Sequence, residues 1–250
     1  MLSDFPIESV GIGDPEYPSA LRDLGKSAPG VLYFRGDLSC LESGPAVAVV
    51  GSRRLSGHGR QAGDRIVSEY FVKREGFVTV SGLALGCDTV GHLASVRCGR
   101  PSVAVMATGL DKVYPEGNRK LAEDILRAGG AWVSEYPPGT GPDRSWFVAR
   151  NRIQAGLSHG VFVMESGAKG GTMHTAGFAE RYGRPGACLA SHFLPEFAGG
   201  VDLEAVAGNR ILMERGWRGL DSERSVTEFV AEVLVWGRDR KKVGGQMEIF

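Results

Sequence analysis

The sequence predicts an α/β fold in which a doubly wound, mostly parallel sheet has helices on both faces. Five short apolar runs, rich in β-branched residues, each stop at small or polar residues, a pattern typical of parallel strands buried on both sides. Stretches with apolar residues at helical spacing lie between these runs and end at glycine. Strands that alternate with helices form βαβ units. We therefore expect a Rossmann-like fold, whose ligands bind at the carboxyl ends of the strands.

Each predicted element has its own sequence signal. The first strand is a run of alanine and valine that stops at Gly51, and the later strands repeat this pattern. Between the strands, apolar residues recur every three to four positions, which favours helices there. The predicted strands are 46–50, 77–80, 102–106, 131–133 and 160–164, with 184–189 as a further candidate, and helical spacing is clearest at 66–71 and 121–126.

The length of the chain suits one α/β domain with modest extensions. Residues 1–45 contain one apolar patch, too little for an independent core, so we expect them to pack on the main domain at 46–220. Apolar residues at 221–236 form one stripe of a helix that begins at a polar cap. The basic and glycine-containing stretch that follows predicts an exposed, flexible tail at 237–250.

Composition and charge exclude several classes of protein. Hydrophobic residues make up 42% of the chain and charged residues 23%, as in an ordinary globular protein rather than a disordered one. The longest stretches without a charged residue have twelve residues, well short of the roughly 20 that cross a membrane. Lys plus Arg and Asp plus Glu both number 29, so any polyanion must bind to a local basic patch.

The start of the chain and the cysteines indicate a compartment. No basic segment followed by an apolar one opens the sequence, so we expect no secretory signal and a cytoplasmic location. The four cysteines form no C-x-x-C pair, which predicts reduced thiols rather than disulfides or a zinc cluster. The histidines show no metal-ligand spacing, so we predict neither a metal nor another cofactor.

Residues 51–60 join the first strand to a helix and are suited to an anion, and the part at 51–56 is here called the Arg53 loop. Free N–H groups and the helix dipole favour negative charge at such a turn, and the arginine adds a planar, permanently charged fork. The loop matches neither the Walker pattern nor the G-x-G-x-x-G fingerprint. The alternative is a tight turn with solvated arginines. The predicted phosphate-binding residues are Gly51, Ser52, Arg53 and Ser56.

Residues 165–176 form a second small-residue loop that follows a strand and opens a helix, and the part at 166–172 is here called the Lys169 loop. Two loops of this kind in one sheet, each with a cation, favour an extended or dinucleotide-sized anionic ligand. The predicted binding residues are Lys169, Gly170, Gly171 and Thr172, together with Gly82 in the loop after the second predicted strand.

The segment 144–152 places two aromatic residues among three arginines. Single-stranded nucleic acid binds to such mixtures, with its phosphates on cations and its bases on rings. The alternative is a buried Trp-Phe plug whose arginines pair with acids, and the segment alone does not separate the two. The predicted DNA-binding residues are Phe147, Arg150, Asn151 and Arg152.

Asp88 and His92 lie four residues apart on one predicted helical face. Such a pair either moves protons or makes a structural hydrogen bond, and no serine or cysteine in a G-x-S-x-G elbow accompanies it. We therefore predict no catalytic residues.

A series of short motifs runs in a fixed order from Tyr17 to Pro185. The motifs are Tyr17-Pro18, 32–36, 49–53, 80–84, 109–111, Tyr114-Pro115, 134–139, Phe147, 150–153 and 155–158. The ordered set resembles the DprA/Smf family of DNA-processing proteins. Departures such as Val148 and Gly170 indicate a minimal or divergent member.

The resemblance carries implications for function and for particular residues. It implies a Rossmann-like domain that binds single-stranded DNA, forms a homodimer and helps to load the RecA recombinase in natural transformation or repair. It also implies that Arg53 and Lys169 contact phosphate. We therefore expect a non-enzymatic recombination mediator that has no contact with membranes.

Two other functions remain open at this point. LOG phosphoribohydrolases also place a glycine-threonine loop before a helix, and Glu165 or Glu180 would then act in cleavage of a nucleoside monophosphate. Their P-G-G-x-G-T-x-x-E string is not reproduced in this chain. The third interpretation is a small-nucleotide-binding module without catalysis, which a mononucleotide would stabilise against heat.

The final five residues of the sequence form a separate motif. Gln246, Ile249 and Phe250 resemble the Q-x-x-[Leu/Ile]-Phe peptides by which bacterial replication and repair proteins bind the DNA polymerase sliding clamp. The two apolar side chains suit a hydrophobic pocket, and the glutamine makes directed hydrogen bonds. The alternative is a strand, or an apolar tail that folds back on the domain.

Overall fold

Nine strands form one sheet in the residues that the computed structural model describes, 2–197 and 201–246, with side chains to residue 240. Seven strands are parallel, and the first two extend one edge of the sheet in antiparallel pairing. The strands are β1 (Glu8–Gly11), β2 (Val31–Gly36), β3 (Ala46–Val50), β4 (Val78–Ser81), β5 (Ser102–Val105), β6 (Ala131–Ser134), β7 (Gly160–Val163), β8 (Gly186–Leu189) and β9 (Arg218–Leu220). Their spatial order is β1-β2-β6-β5-β4-β3-β7-β8-β9. The predicted doubly wound, mostly parallel α/β sheet is confirmed.

Helices cover both faces of this sheet. The helices are α1 (Ser19–Arg22), α2 (Gly57–Arg65), α3 (Cys87–Arg97), α4 (Arg119–Arg127), α5 (Arg144–Ala149), α6 (Asn151–Leu157), α7 (Gly171–Arg181), α8 (Ala207–Glu214) and α9 (Glu223–Gln246). Helix α2 continues as a π-helix over Ile66–Arg74. Apolar residues of α2, α3, α4 and α9 pack on one face, and those of α1, α6, α7 and α8 on the other. Every residue of β3 is therefore buried, which explains its unbroken apolar sequence.

The sequence pattern misses three strands, of which β1 and β9 form the two edges of the sheet and β2 lies next to β1. β2 pairs with β6 and carries β1 outside it, so the N-terminal residues extend the sheet of the main domain. β9 has three residues, Arg-Gly-Leu, and is defined by its pairing with β8. An edge strand pairs on one side only, and β1 and β9 have just four and three residues, so only tertiary pairing identifies these two strands.

Helix α9 is longer than the sequence predicts. The expected helix at 221–236 continues to Gln246, so the residues expected to form a flexible tail are helical as far as the structure describes them. The guanidinium group of Arg184 lies 4.0 Å from the ring centroid of Trp236, and Arg240 forms an ion pair with Asp23. These contacts hold residues 236–240 against the domain. The motif residues Ile249 and Phe250 lie outside the described residues.

The topology brings three loops together at the carboxyl ends of the parallel strands. The strand order reverses at β3. On one side of it lies β4, which follows β3 through α2, and on the other side lies β7, which follows α6. The crevice at such a reversal of strand order is where open α/β sheets bind ligands. No helix in the described ranges is both long and apolar enough to cross a membrane.

Candidate functional site

A cleft of about 350 Å³ lies at the carboxyl ends of β3 and β7. The Arg53 loop forms one wall, the Lys169 loop forms another, and the start of α6 closes the side between them. The predicted site residues that line it are Gly51, Ser52, Arg53, Phe147, Arg150, Asn151, Lys169, Gly170, Gly171 and Thr172. Ser56, Gly82 and Arg152 lie outside this lining. Most of the predicted site is thus brought together in one place.

Hydrogen bonds within the protein fix the Arg53 loop. Ser52 N donates to Glu165 O at 2.7 Å, and Ser52 O accepts from Cys87 N at 3.1 Å. Gly51 packs so closely that a Cβ there would lie 2.7 Å from Glu165 O. Arg53 itself is exposed, and its guanidinium carbon lies 5.8 Å from the ring centroid of Phe147. A rigid turn therefore presents an exposed cation at the mouth of the cleft.

A smaller cavity of about 120 Å³ adjoins the cleft and shares Arg53 and Phe147 with it. Gly82 lines this cavity. Its other walls include Leu85 and Tyr114, for which the sequence predicts no binding role, although each is an apolar or aromatic residue about half exposed, at 50% and 44%. The rings of Tyr114 and Phe147 are 5.6 Å apart between centroids. The cavity thus offers two aromatic rings beside a cation.

Three helix starts meet at the carboxyl ends of the parallel strands, and a carboxylate lies at two of them. Glu165 accepts from the backbone N–H of Ser56, the N-cap of α2. Asp88 accepts from the N–H groups of Gly82 and Ala84, in the loop before α3. Helix α7 starts behind Gly170, whose φ is +146°, and it has neither a side-chain cap nor an acidic residue in its first turn. Among the described residues no carboxylate bonds to the first turn of α7, so this helix start is open to an external anion.

Arg150 is a core residue rather than a surface cation. It is 5% exposed, and its Nη1 donates to Gly82 O at 2.9 Å and to Val105 O. Burial lowers the pKa of Arg150 to about 10, although the charge of Asp88 acts in the opposite direction. Burial likewise raises the pKa of Asp88, and Arg150 offsets part of that rise. The arginine therefore holds the loop after β4 in place.

Arg152 is also engaged within the protein. Its Nη1 and Nη2 each donate to the Glu135 carboxylate at 2.6 Å, and its Nε donates to Ser27 O at 2.9 Å. Asn151 serves the site indirectly, since its Nδ2 donates to Gly171 O at the start of α7. Arginines paired with acids were the alternative interpretation of this segment, and that interpretation describes Arg152.

Asp88 and His92 do not hydrogen-bond to each other. The Asp88 carboxylate binds backbone N–H groups, and His92 Nδ1 lies 2.7 Å from Ser102 Oγ. Burial lowers the pKa of His92 to about 3, and the positive charge of Arg150 lowers it further. Of the two interpretations, the structural one fits these contacts.

The two acids named for phosphoribohydrolase chemistry lie outside the cleft lining. Glu165 is buried and bonded to Ser56 and His192. Glu180 accepts from Trp217 Nε1 at 3.0 Å, near the far end of α7. Neither carboxylate is therefore placed to attack a nucleotide held between the glycine loops.

Comparison with known proteins places the chain among DNA-processing proteins. A family model described as DNA recombination-mediator protein A matches residues 8–229. Protein Smf of Synechocystis sp. is 45% identical over 241 residues, which cover 94% of this chain and 58% of that protein. The chain spans about three fifths of the length of the curated relatives it matches.

Solved structures agree with the sequence comparison. DNA processing protein A from Streptococcus pneumoniae superposes with a TM-score of 0.76 at 35% identity, over 91% of this chain and 75% of that one. DNA processing protein A from Helicobacter pylori, whose single-stranded DNA binding mode has been described structurally, also gives a TM-score of 0.76, at 28% identity. That match covers 94% of this chain and 98% of the other. The DprA/Smf resemblance is thereby confirmed.

Proposed function

Because the chain belongs to the DNA recombination-mediator protein A family, we propose that it binds single-stranded DNA and acts as a recombination mediator. The observation that carries the proposal is the open start of α7, beside Lys169 and Arg53 in one cleft. The Helicobacter pylori relative that binds single-stranded DNA supports it. By family resemblance we extend the proposal to a homodimer that helps to load RecA.

The geometry supports a division of labour within the site. A backbone phosphate accepts hydrogen bonds from the N–H groups of Gly171 and Thr172, where the helix dipole also favours negative charge. Lys169 and Arg53, both exposed, neutralise the charge of this phosphate and of the next phosphate along the strand. A base from the same strand stacks on Phe147 in the smaller cavity. Because bases in a duplex are already paired and stacked, the site favours single strands.

The decisive test is a fluorescence anisotropy titration of oligonucleotides against salt. We expect single strands to bind more tightly than duplex, with an affinity that falls as salt rises. The Arg53→Ala/Lys169→Ala double variant should bind about tenfold more weakly or worse, with a smaller salt slope. Arg181→Ala, at the opposite end of α7, is the matched control and should retain wild-type affinity.

Two outcomes contradict this function. Equal affinity for single strand and duplex, or an unchanged affinity in the double variant, removes the proposal. A mononucleotide that raises the melting temperature, combined with no binding of oligonucleotides, favours the small-nucleotide module instead.

We also propose that the motif at Gln246, Ile249 and Phe250 binds the bacterial sliding clamp. The proposal depends on the sequence pattern and on the family's role in DNA processing. A clamp contact would bring a DNA-binding protein to sites of replication.

A further inference from the structure

Glu165, two residues beyond the end of β7, holds both ends of the Arg53 loop. At one end its backbone oxygen accepts from Ser52 N at 2.7 Å. At the other end its carboxylate accepts from Ser56 N at 2.9 Å and from the Ser56 hydroxyl group. Arg53 lies between these two anchored residues. The side chain and the backbone oxygen of Glu165 therefore fix the segment that carries the exposed cation.

The carboxylate of Glu165 is itself held in place. It is 1% exposed, and His192 Nε2, which is fully buried, lies 2.6 Å from Oε1. Burial alone would raise the pKa of Glu165, but hydrogen bonds from His192 and Ser56 outweigh it and keep the pKa below its ordinary value. The group is therefore ionised at neutral pH, and an ionised carboxylate is the stronger acceptor.

We propose that Glu165 is a positioning residue for phosphate binding, which fixes Arg53 in the cleft without touching DNA. The inference rests on the function proposed for the cleft. Its chemical basis is the number of acceptors, because the carboxylate serves two donors of Ser56 and one of His192. A glutamine has a single acceptor oxygen, so it must turn its NH₂ group toward one of these donors.

A double-mutant cycle on single-stranded DNA affinity tests the proposal. Glu165→Gln should weaken binding at least fivefold in the wild-type background and less than twofold in an Arg53→Ala background. The loss disappears in the second background because the loop then has no arginine to position. The salt slope of Glu165→Gln should fall toward that of Arg53→Ala. Glu180→Gln is the matched control and should bind like wild type.

A positioning role, a purely stabilising role and no role at all give different results in this cycle. The same fold loss in both backgrounds means that Glu165 acts through general stability, and no loss in either means that the loop does not depend on it. If Glu165→Gln fails to fold, Ser56→Ala removes one anchor and passes through the same cycle. If Arg53→Ala weakens binding while Glu165→Gln does not, only the positioning role fails. If wild type binds no single strand, the proposed function fails.

Discussion

Arg152 joins three separate parts of the chain through one guanidinium group. Two of its nitrogens bond to Glu135 after β6, and the third bonds to Ser27 in the N-terminal region. The side chains of the ion pair are 17% and 18% exposed, so solvent screens their attraction only in part. A planar fork with both oxygens engaged is the geometry in which arginine contributes most.

We expect Arg152→Met to lower the free energy of unfolding by about 2 kcal/mol, because Glu135 then stays largely buried without its partner. Its affinity for single-stranded DNA and its salt slope should stay within error of wild type. Chemical denaturation and anisotropy measure the two quantities. Arg144→Met, which removes an exposed arginine of the same segment, should change stability by less than about 0.5 kcal/mol. A reduced salt slope in Arg152→Met would instead make that arginine a DNA contact.

Residue type and spacing selected the arginines of these segments as candidates, but did not indicate which of them expose their charge at the cleft. The sequence predicts DNA contacts for Arg53, Arg150 and Arg152 alike, whereas only the first is exposed at the cleft. The partners of the other two come from distant strands and loops, such as Glu135 after β6. Pairing of that kind depends on tertiary structure, which charge patterning along the chain does not report.

At the scale of the element, helix α2 depends on a glycine in its first turn. Gly59 packs against the Glu165 carboxylate, and a Cβ at that position would overlap the carboxylate oxygen and carbon. Gly57, at the first position of the same helix, has open space where its Cβ would be. The two glycines therefore differ in their surroundings while sharing one helix.

We expect Gly59→Ala to weaken single-stranded DNA binding about fivefold, because the new methyl group displaces the carboxylate that holds the Arg53 loop. Gly57→Ala should leave the affinity unchanged. Alanine favours a helix over glycine by up to about 1 kcal/mol, so comparison of the two variants separates the overlap from helix propensity. Anisotropy gives the affinities, and thermal unfolding should show Gly59→Ala as the less stable variant. Equal affinity in the two variants would mean that the carboxylate stays in place.

Strands that helices cover on both faces could be predicted from the sequence. Elements that depend on contacts with distant parts of the chain could not. The apolar runs of β3 to β8 reflect helices on both faces of the sheet. β9 exists through its pairing with β8, and α9 continues past residue 236, where Arg240 forms an ion pair with Asp23. Lysine and arginine favour a helix whereas the two glycines of this stretch disfavour one, so propensity alone does not place the end of α9.

At the scale of the whole molecule, a chain of zero formal net charge places the loops proposed to bind DNA together at the carboxyl ends of the strands. Two of the loops there were predictable, because each combines glycines with a cation directly after a buried strand. The aromatic cavity beside them was not, since Leu85 and Tyr114 come from loops after different strands and meet only in the fold. The open start of α7 also required the structure, because only the structure shows that a carboxylate lies at the starts of α2 and α3 and none bonds to that of α7 in the described residues.

Helix α9 leads the chain away from the carboxyl ends of the strands. Its residues Gly237 and Arg240 line a surface cavity together with Pro45 and His159, which precede β3 and β7. Those positions are the amino ends of the same parallel strands whose carboxyl ends form the cleft. The proposed clamp motif begins six residues after Arg240, and the cleft proposed to bind DNA lies at the opposite end of these strands.

We expect the protein to bind a purified bacterial sliding clamp and single-stranded DNA independently. Ile249→Ala/Phe250→Ala should abolish clamp binding in a calorimetric titration, because the two side chains supply the apolar contact, and should leave DNA affinity within twofold of wild type. Met247→Ala/Glu248→Ala changes the two intervening positions of the motif and should still bind the clamp. The Arg53→Ala/Lys169→Ala variant should show the reverse pattern, with clamp binding kept and DNA binding reduced. Absence of clamp binding by the intact chain, or equal binding by both tail variants, would contradict the motif assignment and leave the cleft as the only proposed contact with the DNA machinery.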